Sequence, residues 1–114
     1  MSYLPGVANA IVSDVKITDY LLNPSHSVAA AGKANFFAAF GFSASNWQEL
    51  KRALLQHPRS HEVSGVMTTP YGEKYEVSCS LATPDGRNPC VISIWIVERP
   101  DPDPRFVTAY PGLP

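Results

Sequence analysis

Thiols are scarce in this 114-residue chain, which holds only Cys79 and Cys90. Two are too few for a disulfide scaffold, and neither stands in a C-x-x-C pair or at metal-ligand spacing from a histidine. They are expected to be free, half-buried thiols in a reducing compartment. Excess charge is also missing. Nine Lys and Arg against ten Asp and Glu leave a net charge of −1, which excludes the global cationic field of most nucleic-acid binders, so any polyanion site must be local. No run of about 18 apolar residues occurs, and no basic segment followed by an apolar one opens the chain, so membrane spanning and Sec-type secretion are disfavoured. These absences point to a soluble cytoplasmic protein, and the length suits one domain.

Residues 1–12 read as an irregular arm that packs Leu4, Ile11 and Val12 onto a single α+β domain over 13–114. Its first half has helical signals. Ser13 suits an N-cap, Ile17, Tyr20 and Leu21 form one apolar stripe, and Asn23-Pro24 stops a helix near 14–22. A second helix is expected over 28–40, with Phe36, Phe37 and Phe40 on one face and Gly41 as its left-handed end, where Phe42 can contact Phe37. For a third, near 45–57, Ser45 and Gln48 form a capping box, Trp47, Leu50 and Leu54 share a face, and Pro58 closes it.

From His61 onward the period becomes two. Strands are expected near 62–69, 73–82, 89–98 and 105–110, pairing as an antiparallel meander. In the second, Tyr75, Val77, Cys79 and Leu81 alternate with polar residues. Thr83-Pro84-Asp85-Gly86 signals a type I turn, and a hairpin centred there sets Cys79 opposite Cys90. The near-continuous apolar run Val91–Val97 reads as a central strand covered on both faces.

Candidate chemistry sits in a polar island, Asn23 to Ser27. His26 at a helix start is favoured as neutral imidazole, and Lys33, seven residues on, falls on the same helix side. Thr108 and Tyr110, two apart on the last strand, project from one face, which by parity Phe106 shares. Arg105 precedes that strand, and Ser93 is the polar residue within the apolar one. Each also has a structural reading: a capping histidine, a snorkelling lysine, an edge charge, a buried hydroxyl. His57 and His61 read as surface or capping residues. Together, His26 as base, Lys33 as cation and the Thr108/Tyr110 pair as donors supply what metal-independent RNA cleavage through the ribose 2′-OH needs, with Arg105 and Ser93 left to bind substrate. No metal or cofactor is called for.

The segments KITDYLLNPSH (Lys16–His26), GKANFFAAFGF (Gly32–Phe42) and RFVTAY (Arg105–Tyr110) resemble a family of small uncharacterised bacterial domains, over nearly all of Ile11 to Pro111. At fold level the pattern resembles the ribonuclease toxin superfamily named for barnase, EndoU, colicins and RelE. The resemblance implies a toxin-type RNA endonuclease acting through His26, Lys33, Thr108 and Tyr110. It also implies RNA as substrate and a cognate antitoxin or immunity protein as partner, while the slightly acidic balance suits a narrow site read by shape, such as on tRNA. Ser27, Ala29 and Ala30 depart from the expected proline and glycine after the histidine. The rival reading is a non-enzymatic partner-binding module, namely an antitoxin, an immunity protein or a degenerate toxin.

Overall fold

The computed structural model describes residues 2–23, 25 and 28–112. A 3-10 turn at Val7–Asn9 leads to a π-helical segment, Lys16–Leu21. Helix α1 (Val28–Ala39) follows, then a second 3-10 turn at Ala44–Asn46 that runs into helix α2 (Trp47–Ser60). Strands β1 (Val63–Thr69), β2 (Gly72–Ser80), β3 (Cys90–Glu98) and β4 (Arg105–Pro111) form one antiparallel sheet in the order β1-β2-β3-β4. The architecture is α+β with a four-stranded antiparallel sheet. The helical half differs from three short α-helices: among the described residues α1 and α2 are the α-helices, and Lys16–Leu21 is π-helical.

The first expected helix is wound as a π turn, in which the Leu22 amide donates to Ile17 O at 2.9 Å, five residues back. The wide turn buries Ile17 and Leu21 completely and leaves Lys16 and Tyr20 beside one another. In α1, alanine-rich sequence favours the helix, and Gly41 ends it at φ 102°. The Phe42 amide bonds Phe37 O and the Gly41 amide bonds Ala38 O, a Schellman motif. Rings 37 and 42 meet edge to face at 6.1 Å, as the sequence implies.

The winding that leads into α2 begins one residue earlier than expected, in the 3-10 turn at Ala44–Asn46, while α2 itself starts at Trp47. Its capping box is Ser43 with Asn46 rather than Ser45 with Gln48, because the 3-10 turn starts the winding first. Nor does Pro58 end it. The helix runs on to Ser60, since a proline in the last turn removes only one amide bond. Leu50, Ala53, Leu54, His57 and Pro58 make its buried face, which packs on β2 and β3. At 2 % exposure His57 is a core residue, not a surface one.

Strand β3 is covered on one face only. Val91, Ser93 and Trp95 are fully buried, whereas Ile92, Ile94 and Ile96 are half-buried on the other side. The β2–β3 connection has the expected turn, with the Gly86 amide on Thr83 O at 3.0 Å, but Asn88 also folds back on Thr83. Register therefore moves by one residue: Cys79 faces Val91 and Ser80 faces Cys90. The two cysteines are neighbours with Cα atoms 4.1 Å apart, and they are joined in a disulfide. The expectation of free thiols was wrong, and the reducing compartment inferred from it loses its ground. Among the described residues no helix is long and apolar enough to cross a membrane.

Strand β4 carries a register irregularity. Ile94 faces Thr108 while Trp95 faces Phe106, so Val107 is an extra, bulged residue. Phe106 consequently turns into the core against Trp95, at 5.5 Å between rings. Thr108 and Tyr110, which face Ile94 and Ile92, turn to the opposite face. The shared parity of Phe106, Thr108 and Tyr110 does not hold.

Candidate functional site

Because β4 is the last strand of the sheet, its side chains are open to whatever packs beside it. The π-helical segment lies against β4 and α1 lies against that segment. This stacking brings Lys33 of α1 to Thr108 of β4. Lys33 Nζ donates to Thr108 Oγ1 at 2.9 Å and to Tyr20 Oη at 2.5 Å, and it lies 4.8 Å from the Tyr20 ring centroid. A second ammonium joins them. Lys16 Nζ donates to Val107 O at 3.0 Å and lies 5.7 Å from the same ring centroid, using a carbonyl on the residue that the bulge leaves unpaired.

Both lysines lack a carboxylate partner among the described residues, whose ion pairs are Lys51–Asp14, Arg87–Asp85, Arg99–Glu73 and Arg105–Asp101. Two ammonium groups thus stand close to one tyrosine without an ion pair among the described residues, in a chain of net charge −1, a local cationic feature of the kind an anion seeks. The hydrogen bond from Lys33 holds the Tyr20 phenol below its usual range; burial opposes the shift, and Thr108 and the charge of Lys16 add to it. A cleft of about 540 Å³ opens beside Lys16, Asp19 and Tyr20, and another of about 280 Å³ beside Lys16, Glu98 and Arg105. Among the described residues no group of three or more His, Cys, Asp or Glu is placed to hold a metal ion.

Of the residues singled out in the sequence, the fold joins Lys33 and Thr108 directly. Tyr110 lies two residues along the same strand face, half-buried, roughly 7 Å on. Arg105 is three residues from Thr108, roughly 10 Å along the strand, and pairs with Asp101 at 3.7 Å. His26 lies outside the described residues. Ser93 does not belong with them: it is fully buried on the core face, and its role is internal. Trp95 Nε1 donates to Ser93 Oγ at 2.9 Å, and Ser93 Oγ is 2.8 Å from His57 Nδ1. His57 Nε2 lies 2.7 Å from the carbonyl of Cys79. A carbonyl only accepts, so Nε2 carries the proton and Nδ1 accepts from the serine. This chain is a satisfied structural network.

Tyr20 and Lys16 were missed as site residues. Tyr20 read as one member of an apolar stripe, although a tyrosine in such a stripe must place its hydroxyl somewhere. Lys16, four residues before it, is at the spacing that sets helical side chains together.

No curated protein matches the chain. A chain of the contact-dependent growth inhibition toxin–immunity protein complex from Klebsiella pneumoniae 342 is similar in structure, with a TM-score of 0.73 at 19 % identity over 96 % of this chain and 98 % of that one. At that identity the likeness is one of fold. The family model described as a domain of unknown function (DUF6883) matches residues 3–113, and the chain belongs to that family.

Proposed function

We propose that this domain is a toxin-type RNA endonuclease that cleaves a phosphodiester by attack of the ribose 2′-OH, without a metal, on an RNA such as tRNA. The observation that carries the reading is the Lys33 ammonium, which bridges Tyr20 and Thr108 with no carboxylate partner among the described residues. Attack by the 2′-OH puts extra negative charge on the phosphoryl oxygens, and a fixed cation with adjacent hydroxyls answers it. In this scheme Lys33 binds the phosphate, Thr108 and Tyr110 supply hydroxyls, Arg105 holds a flanking part of the RNA, and His26 takes the 2′-OH proton. The fold shared with a chain from a toxin–immunity complex is consistent with it, and a cognate immunity protein or antitoxin is the expected partner.

The test is induced expression of wild type beside Lys33→Met and His26→Ala, following growth and RNA integrity. Wild type should arrest growth and cleave RNA, and each variant should lose 10² to 10⁴ in rate. Intact RNA under wild-type expression, or cleavage unchanged in Lys33→Met, would overturn the reading. The rival, a non-enzymatic partner-binding module, has one observation in its favour: Val66, Met67 and Tyr71 are 56 %, 65 % and 73 % exposed around the β1–β2 hairpin. It predicts intact RNA and partner binding that Met67→Lys abolishes and Lys33→Met spares.

A further inference from the structure

We propose that Tyr20 is the general acid of this cleavage, giving its phenolic proton to the departing 5′-oxygen; the inference rests on the ribonuclease reading above. The geometry comes first. Tyr20 Oη is 2.5 Å from Lys33 Nζ, and the same ammonium is 2.9 Å from Thr108 Oγ1. A phosphate held by Lys33 therefore has the phenol within reach of its bridging oxygens. Tyr20 is half-buried and lines the cleft of about 540 Å³.

An acid that gives up a proton in the transition state needs its own new charge stabilised. Around Tyr20 that provision is built. Lys33 faces it from α1, Lys16 faces it from its own segment, and Thr108 contributes a hydroxyl from β4. The nearest carboxylate in sequence, Asp19, accepts from Thr18 at 3.1 Å. The phenol accordingly sits below its ordinary range, led by the Lys33 hydrogen bond, which makes it a stronger acid toward an alkoxide.

The step balances as follows. The base removes the 2′-OH proton, the O2′–P bond forms, and the P–O5′ bond breaks with its electron pair passing to O5′. The Tyr20 proton goes to O5′, leaving a 2′,3′-cyclic phosphate and a 5′-hydroxyl; the base then releases the 2′-OH proton to solvent and the phenolate takes one up.

The experiment uses the full chain and two oligoribonucleotides bearing the linkage that the enzyme cuts in total RNA, one with the natural 5′-oxygen and one with sulfur bridging at that position. A thiolate is a far weaker base than an alkoxide and leaves without being protonated. Tyr20→Phe should slow the oxygen ester by 10² to 10⁴ and cleave the sulfur ester at the wild-type rate, whereas Lys33→Met should slow both. The alkaline fall in the wild-type pH–rate profile should be absent in Tyr20→Phe. A fluorinated tyrosine at position 20, which keeps the ring's shape, should move that fall to lower pH. Equal losses on both esters, or no loss on either, would overturn the role and leave the ribonuclease reading standing. If wild type cuts neither ester nor total RNA, the ribonuclease reading falls and the acid falls with it.

Discussion

Lowering the pH should loosen this fold through a single buried imidazole. His57 is 2 % exposed, and burial is the main cause that lowers its affinity for a proton, with the charge of His61 adding to it and the bond to the Cys79 carbonyl opposing it. In the unfolded chain the imidazole titrates near its ordinary value of about 6.5. As pH falls through that value the unfolded state takes up a proton that the folded state refuses, so stability is full above about 6.5 and drains below it, down to the folded value. The geometry explains the refusal: a protonated ring has a hydrogen on Nδ1, and Ser93 Oγ, already accepting from Trp95, would have to accept that one as well. One proton per molecule is worth at most about 1.4 kcal/mol per pH unit, so between pH 7.5 and 5.5 the loss is at most about 1.4 kcal/mol. For a chain of 114 residues that is a fall of about 6 °C in Tm. Calorimetric melting of wild type and His57→Gln at pH 7.5, 6.5 and 5.5 checks it. The variant should start about 1 to 3 kcal/mol lower for its broken hydrogen bonds but lack the His57 share of the pH slope, so the two curves converge as pH falls. Parallel curves would refute the argument.

Removing the disulfide by Cys79→Ala with Cys90→Ala releases a loop of sequence separation 11 and should cost about 3 kcal/mol by chain entropy, a fall of about 12 °C in Tm by calorimetry. Gly72→Ala should cost about 3 kcal/mol or more in urea unfolding, because a Cβ there would lie 1.9 Å from the backbone oxygen of Val97. Thr108→Val keeps the shape but removes an acceptor from Lys33. It should slow RNA cleavage by about tenfold or more in a single-turnover assay while Tm stays within a degree or two.

The sheet was legible because its cues are local and redundant. Alternation around Tyr75–Leu81, the Thr83–Gly86 turn and the proline-dense break before Arg105 agree on four strands, and the observed ends differ by at most two residues. What escaped depends on contacts between distant segments. A bulge at Val107 leaves no mark in the residues Arg105–Tyr110, since it is set by how Phe106 finds Trp95. A histidine beside a proline at a helix end looks like a surface residue until β3 supplies a serine to meet it. The disulfide needed only one residue of register to go from facing thiols to a bond. Lys33 and Thr108 were readable as chemistry-bearing types, but their meeting, and the part of Tyr20 in it, required the stacking of α1, the π-helical segment and β4.

That meeting also sets a timetable. Lys33 and Thr108 are 75 residues apart, and β4, which carries Thr108, follows both helices and the other three strands in chain order. A ribosome has made both helices and three strands before the hydroxyl partner exists, and with β4 absent β3 is an unpaired edge. A chain translated through β3 but not β4 therefore holds Lys33 and Tyr20 without Thr108. If the domain is harmful to the cell that makes it, harm begins only after β4 has emerged and closed on β3, which gives a neutralising partner an interval in which to be present first.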